Sequence, residues 1–191
     1  MKSNTQSNTG LHAKDTKVDT KDIKKMDKHA RQFKRLQNEL EHVSKDQSDK
    51  KNDKGFNVWA TNDKLSEWEG EILGPKDTPY SEGKFPFKIL IPEEYPHKPP
   101  TMFFTIPIYH PNISIPISTP AGIRSDICID ILKTNWSPAL NISSLLLSIR
   151  NLFSDPNFDD PLNPEAVDHY NSNKEDYMRK VKELTLMNLS I

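Results

Sequence analysis

The prolines of this chain are confined to one stretch, and their placement constrains the fold more than any other feature of the sequence. All 15 prolines lie between Pro75 and Pro164. Proline removes a backbone hydrogen-bond donor and disfavours helix at the residue before it. The middle of the chain is therefore predicted to form loops and short strands, with helices mainly at the two ends.

Length and composition limit the class of protein. The chain has 191 residues, 34% of them hydrophobic, which fits one domain with a polar tail. Its apolar runs are too short for a membrane span, and its first ten residues lack the apolar stretch of a secretory signal. The single cysteine excludes an intramolecular disulfide and a cysteine-cluster zinc site. We expect no bound metal and a reducing compartment, cytoplasmic or nuclear.

The charge is unevenly distributed along the chain. Residues 1–54 carry 14 Lys and Arg against 9 Asp and Glu, whereas residues 55–191 carry 12 against 18. A basic segment is typical either of a nucleic-acid-binding module or of a solvated tail and helix face. No aromatic residue precedes Phe33, so a base-stacking platform is missing there. We therefore predict no nucleic-acid partner.

Hydrophobic spacing predicts the first ordered element. Residues 1–25 are polar and charged and are predicted to be a disordered N-terminal extension. From about Met26, a helical pattern places apolar residues on one face, at Phe33, Leu36, Leu40 and Val43. The polar stretch 44–54 then predicts a loop.

Phe- and Ile-rich runs separated by turn residues predict about four strands. They cover residues 56–61, 66–72, 85–91 and 101–105. Their short connections favour an antiparallel meander. Residues 106–140 show no periodicity and are predicted to be irregular, a length that is usually functional.

Helices are predicted again in the last third of the chain. Asn141 can cap a helix that ends near Phe153, and Pro164 can open another at its first turn. Tyr177 and Val181 mark a last helix. The predicted fold is α+β: an N-terminal helix, a meander sheet of about four antiparallel strands, an irregular segment and C-terminal helices.

The irregular segment contains the candidate reactive residues of the chain. Cys128 lies between Ile127 and Ile129, and a lone cysteine in apolar surroundings is most often a small buried hydrophobe. His110 precedes Pro111, and a His-Pro pair more often fixes a turn than supplies a base. No clear Cys–His–Asp protease pattern is present. These residues alone do not decide whether Cys128 is a buried core residue or a nucleophile.

Seven segments, taken in order, resemble ubiquitin-conjugating enzymes. They are Trp68–Pro75, Asp77–Tyr80, Tyr95–Pro100, His110–Ile113, Ile127–Leu132, Trp136–Leu140 and Asp155–Leu162. The resemblance covers about residues 26–188, the expected UBC core catalytic domain. It implies a UBC-like fold and an enzyme that accepts ubiquitin from an activating enzyme as a thioester on Cys128. The ubiquitin then passes to a lysine of a protein substrate, usually with a ligase.

The resemblance also implies roles for the residues around Cys128. Asn112 would stabilise the oxyanion or order the surrounding loop, and Asp160 would orient the incoming lysine. Asp130 matches a position that gates the site. The residues expected to be structural are His110, Pro111 and Trp136. No cofactor is implied, because the thioester retains the energy of activation.

Partner surfaces follow from the resemblance as well. It implies contacts on the first helix, on two ligase loops, and on the helix that holds donor ubiquitin. The matching residues are Lys34, Arg35, Asn38, His97, Lys98, Ser137, Pro138, Ala139, Leu147 and Asn151. Each is also compatible with an ordinary surface or packing position. His97 stands where ligases that form a covalent intermediate prefer Phe, which predicts RING-type ligases.

The chain departs from the family pattern between Asn112 and Cys128. This lengthened active-site loop, residues 113–127, is longer than the usual connection by roughly seven residues, and loops tolerate such insertions. It is either a bulge without function or a device that reshapes the rim of the site or binds a partner.

Two other functions are compatible with the same fold. The first is conjugation of another modifier, such as SUMO or the cullin modifier, and the polar N-terminal extension favours it weakly. The second is an inert variant that only binds ubiquitin. Retention of Cys128, Asn112 and Asp160 argues against the inert variant, and Trp68 and Trp136 favour ubiquitin.

Overall fold

The computed structural model describes residues 20–48 and 54–189. Within them, four helices and six strands follow one another in the order α1 Thr20–Ser48, β1 Phe56–Ala60, β2 Glu67–Leu73, β3 Lys84–Leu90, β4 Thr101–Phe104, β5 Ile117–Thr119, β6 Gly122–Asp126, α2 Ile142–Leu152, α3 Pro164–Ser172 and α4 Lys174–Asn188. A short 3₁₀ helix at Asp130–Leu132 lies between β6 and α2. The predicted α+β architecture, with one helix before an antiparallel sheet and helices after it, is confirmed.

Helix α1 is longer than its apolar pattern predicts. It begins at Thr20 rather than near Met26, and it continues to Ser48 through part of the predicted loop. Leu36 and Val43 are buried, whereas Phe33 is 38% exposed. The flanking Lys, Arg and Gln residues favour helix without needing burial, so the helix extends beyond the face that packs. Residues 1–19 of the predicted extension lie outside the described residues.

The sheet is antiparallel throughout, with strand order β1-β2-β3-β4-β6-β5. Its first four strands match the four predicted ones, and the register pairs Phe56 with Ile72 and Trp68 with Ile89. Buried and partly exposed side chains alternate along β2 and β3. The buried face forms the core with α1 and α2, which pack against β1 and β2.

Strands β5 and β6 correct the prediction that residues 106–140 are irregular. They form a hairpin whose second strand pairs Ser125 with Phe104 on β4, so the sheet has six strands rather than about four. The hairpin turns at Gly122, whose φ of +112° favours glycine. Strand β5 has only three residues between two prolines, which is too short for a visible alternation.

Helices α2 and α3 begin where the sequence predicts, and the last predicted helix is α4. The Asn141 side chain accepts a hydrogen bond from the Ser144 N–H, and the Ser144 hydroxyl accepts from the Asn141 N–H, which completes a capping box for α2. Asn163 caps α3, with Pro164 at its first turn. Among the described residues, no helix combines the length and apolarity that a membrane crossing requires.

Candidate active site

Cys128 lies two residues after β6, at the end of the lengthened loop. Its backbone N–H donates to the carbonyl of Asn112 at 2.9 Å, which fixes the two segments side by side. The cysteine is 4% exposed. Its Sγ atom lies 2.9 Å from Nζ of Lys133 and 3.1 Å from Oδ2 of Asp160. The thiol therefore lies at one corner of a triangle with a cation and an anion.

The two charged groups of this triangle act on the thiol in opposite directions. Burial is the largest effect and raises the pKa of Cys128, the Lys133 ammonium lowers it, and the Asp160 carboxylate raises it. Lys133 and Asp160 also form an ion pair of 2.7 Å. That pair, with the contacts to Sγ, raises the pKa of Lys133 and lowers the pKa of Asp160. Both groups are therefore charged at neutral pH.

Sequence reasoning missed Lys133. The 3₁₀ helix that opens at Asp130 turns the chain back, with the Lys133 N–H donating to the Asp130 carbonyl at 2.9 Å, and this brings the lysine to Sγ. A lysine five positions after the cysteine was the available signal, but nothing in the local pattern indicates that the chain turns there.

Asn112 is fully buried, and its amide is engaged with the backbone of Asn157. Its Nδ2 donates to the Asn157 carbonyl at 2.6 Å, and its Oδ1 accepts from the Asn157 N–H at 2.9 Å. The carbonyl of Pro111 accepts from the N–H groups of Leu162 and Asn163. Asp160 lies between these two tethers. The geometry supports the loop-ordering alternative for Asn112.

His110 is also fully buried and lies behind Asn112. Its Nδ1 accepts from the Asn112 N–H at 2.9 Å, so its Nε2 carries the proton and donates to the Leu152 carbonyl at 2.8 Å. Burial lowers the pKa of His110 to about 4. A neutral imidazole with both nitrogens engaged is consistent with the structural role that the resemblance implies.

The remaining predicted catalytic residue, Asp130, is not brought to the thiol. Its side chain is exposed at the start of the 3₁₀ helix, and among the described residues the hydrogen-bond partners of Sγ are Lys133 and Asp160. The gating role stays a prediction. Across residues 20–48 and 54–189, no group of His, Cys, Asp and Glu is arranged to hold a metal ion.

The predicted ligase loops lie next to one another and next to α1. Trp136 donates from Nε1 to the Pro96 carbonyl at 2.7 Å, which ties the loop of His97 and Lys98 to the loop of Ser137–Ala139. Arg35 on α1 donates to the carbonyls of Pro138 and Leu140, so its guanidinium joins α1 to the loop of Ser137–Ala139. The side chains exposed on this face or its loops are Lys34, Asn38, His97, Lys98, Ser137, Pro138 and Ala139.

The two residues predicted to contact donor ubiquitin lie on α2. Leu147 is half-buried and packs against the core, whereas Asn151 is exposed at the end of the helix. The face that α2 presents to solvent therefore includes Asn151 and only part of Leu147.

Comparison with known proteins decides the family. A family model described as ubiquitin-conjugating enzyme matches residues 35–185. The chain belongs to the ubiquitin-conjugating enzyme family. The matched range contains β1–β6, α2, α3 and every member of the triangle around Cys128.

Two solved structures of conjugating enzymes are similar to this one. The E2 domain of a Toxoplasma gondii ubiquitin conjugating enzyme is 35% identical, with a TM-score of 0.68 over 80% of this chain and 95% of that one. A Plasmodium yoelii protein described as a ubiquitin conjugating enzyme is 36% identical, with a TM-score of 0.70 over 82% of this chain and 94% of that one. Both support the UBC-like fold.

Proposed function

We propose that this conjugating enzyme accepts ubiquitin from an activating enzyme as a thioester on Cys128 and transfers it to a substrate lysine. The observation that carries the proposal is the position of the lone thiol of the chain, in contact with both Lys133 and Asp160. A buried cysteine with a purely structural role would have apolar neighbours and no need of a charged pair.

Loading is an exchange of one thioester for another. The Cys128 thiolate attacks the C-terminal carbonyl carbon of ubiquitin, a new C–S bond forms, and the C–S bond to the activating enzyme breaks. The departing thiolate takes up a proton, so one thioester is lost and one is gained. A thiolate is both a good nucleophile and a good leaving group, and no cofactor is needed at this site.

Transfer replaces the C–S bond with an isopeptide bond. Asp160 is well placed to receive the acceptor lysine, because its carboxylate is more than half exposed and lies 3.1 Å from Sγ. Its lowered pKa makes it a weak base, so we assign it mainly to orienting the ammonium. The ammonium loses one proton to solvent, the amine attacks the thioester carbonyl carbon, and a second proton passes to solvent as the C–N bond forms and Cys128 leaves as the thiolate.

The proposed ligase surface comprises α1 and the two loops joined by Trp136. These three parts form one continuous face, since Arg35 bonds to Pro138 and Leu140 while Trp136 bonds to Pro96. RING-type ligases are the proposed partners, because position 97 is His and not the Phe that ligases with a covalent intermediate prefer. Discharge assays with both ligase types test this assignment. Rapid transfer to a covalent-intermediate ligase would contradict it.

A loading assay tests the function. The protein is mixed with activating enzyme, ATP and ubiquitin and run on a non-reducing gel beside Cys128→Ser and Cys128→Ala. We expect an adduct that reductant removes from wild type, a reductant-resistant ester in the Ser variant, and no adduct in the Ala variant. The ester is expected because an oxyester, unlike a thioester, does not exchange with added thiol.

The same assay separates the alternatives. Parallel lanes contain SUMO and the cullin modifier, each with its own activating enzyme. An adduct with one of these and none with ubiquitin would keep the mechanism and replace the modifier. The absence of any adduct on folded protein would favour the hypothesis of an inert variant that only binds ubiquitin.

A further inference from the structure

Lys133 is placed to do more than neutralise Asp160. Its ammonium donates to Oδ2 of Asp160 at 2.7 Å and to Sγ of Cys128 at 2.9 Å. Among the described residues, these two side chains are the charged groups that face the thiol. The carboxylate favours the neutral thiol and the ammonium favours the thiolate.

The side chains of Asn112 and His110 are engaged in other contacts. The Asn112 amide is bound to Asn157, and the neutral His110 ring is bound to Asn112 and Leu152. Cys128 is 4% exposed, so bulk water solvates a thiolate there poorly. Among the described residues, the Lys133 ammonium is the side-chain donor in contact with Sγ.

We propose that Lys133 is a further catalytic residue, whose ammonium stabilises the Cys128 thiolate both when it attacks and when it leaves. During loading, the S–H proton passes to solvent, and the ammonium compensates the charge on sulfur until the new C–S bond forms. During transfer, that C–S bond breaks as the C–N bond forms, and the electron pair returns to sulfur beside the same ammonium. The part played in transfer rests on the proposed function, whereas thiolate stabilisation in the free enzyme does not.

The thiolate can be measured without ubiquitin. Because the chain has one cysteine, all thiol alkylation by iodoacetamide occurs at Cys128. The rate is measured between pH 6 and pH 11, and its midpoint reports the pKa of the thiol. We expect Lys133→Gln to raise the midpoint by about 0.5–1 pH unit, because the ammonium is lost but solvent screens the charge of a side chain that is 47% exposed. Lys133→Arg keeps the charge and should stay close to wild type.

A matched control removes an equivalent ion pair elsewhere. Lys88 pairs with Glu69 at 2.9 Å, and its side chain is exposed to a similar extent, 42% against 47% for Lys133. Lys88→Gln should leave the midpoint unchanged. Circular dichroism establishes that each variant is folded.

Asp160→Asn supplies an independent test with the opposite sign. Loss of the carboxylate leaves the ammonium with Sγ alone, so the midpoint should fall below that of wild type. An unchanged midpoint in Lys133→Gln, or a shift in the same direction in Asp160→Asn, would overturn the proposal.

Loading then connects the thiolate to the reaction. One pH unit below the wild-type midpoint, Lys133→Gln should load ubiquitin about 3–10-fold more slowly, and the difference should vanish well above both midpoints. A rate deficit of the same size at every pH would indicate a structural defect and contradict the proposal. If wild type forms no thioester at all, the proposed function fails while the alkylation result still decides the role of Lys133.

Discussion

At the scale of single residues, the candidate site depends on two fully buried polar side chains, His110 and Asn112. His110 binds Asn112 on one side and the last turn of α2 on the other, and Asn112 binds Asn157. These contacts run from the helix end to the loop that carries Asp160. Burying these groups is tolerable because, among the described residues, no buried side-chain nitrogen or oxygen lacks a hydrogen-bond partner.

The pH dependence of stability tests the state of His110. The pKa of His110 in the folded protein, about 4, lies below its ordinary value of 6.5. Between these two pH values His110 is therefore protonated in the unfolded chain and neutral in the folded one. Its contribution is therefore complete above pH 6.5 and is lost as the pH falls towards 4, by about 3 kcal/mol in total. We expect urea denaturation to show this loss in wild type and to lack it in His110→Gln. Parallel pH profiles for the two proteins would contradict the assignment.

Asn112 is predicted to stabilise the loop as well as the site. Asn112→Ala leaves the N–H and carbonyl of Asn157 without their side-chain partner, which should cost about 1–3 kcal/mol in the free energy of unfolding. Asn151→Ala, on the exposed end of α2, should cost less than about 0.5 kcal/mol. Denaturant titration of both variants measures the difference. Equal, small effects would mean that the tether is not needed.

At the scale of secondary structure, the β5–β6 hairpin is an addition to the sheet that contributes little to the core. Ile115, Ile117 and Ile123 are 63%, 54% and 40% exposed. Arg124 stacks on the Phe103 ring, with its guanidinium carbon 4.5 Å from the ring centre. Ser125 is the exception, since it is fully buried and its hydroxyl donates to the Ile106 carbonyl.

Shortening the hairpin tests whether it is dispensable. Replacing residues 116–124 with Asn-Gly, which favours a tight hairpin turn, keeps Ile115, Ser125 and the pair of Ser114 with Asp126. We expect cooperative unfolding, a loss of about 1 kcal/mol from the Arg124 contact, and normal loading of ubiquitin. Loss of loading in a folded variant would assign the hairpin a role at the rim of the site.

The secondary structure also shows what the sequence can and cannot predict. The first four strands and the starts of α2 and α3 were predictable, because Phe- and Ile-rich runs, Asn caps and an N-terminal proline act locally. The hairpin was missed because β5 is short and lies between prolines. Lys133 was missed for a different reason: its neighbours Cys128 and Asp160 meet it only through a backbone turn and a distant loop.

At the scale of the whole molecule, Glu39 joins three parts of the fold. Its carboxylate accepts from the Tyr95 hydroxyl at 2.8 and 2.9 Å, from the Ile142 N–H at 2.9 Å and from Arg35 at 2.6 Å. Helix α1, the loop that contains Tyr95 and His97, and the start of α2 therefore meet at the Glu39 side chain, beneath the proposed ligase surface.

Glu39→Gln is predicted to weaken this junction. The neutral amide keeps one acceptor oxygen but loses the charge that binds Arg35 and the second oxygen, which should lower the free energy of unfolding by about 1–3 kcal/mol. Glu41→Gln is the matched control, because Glu41 is an exposed carboxylate two residues along the same helix. Thermal and urea denaturation compare the two. A Glu39 effect no larger than that of Glu41 would contradict the role of the junction.

Intact-protein mass spectrometry tests most directly whether Cys128 carries ubiquitin. The protein is incubated with activating enzyme, ATP and ubiquitin and measured before and after addition of a thiol reductant. We predict a single adduct with the mass of ubiquitin less one water, which the reductant removes and which Cys128→Ala does not form. Folded protein without an adduct, or an adduct that persists in Cys128→Ala, would contradict it.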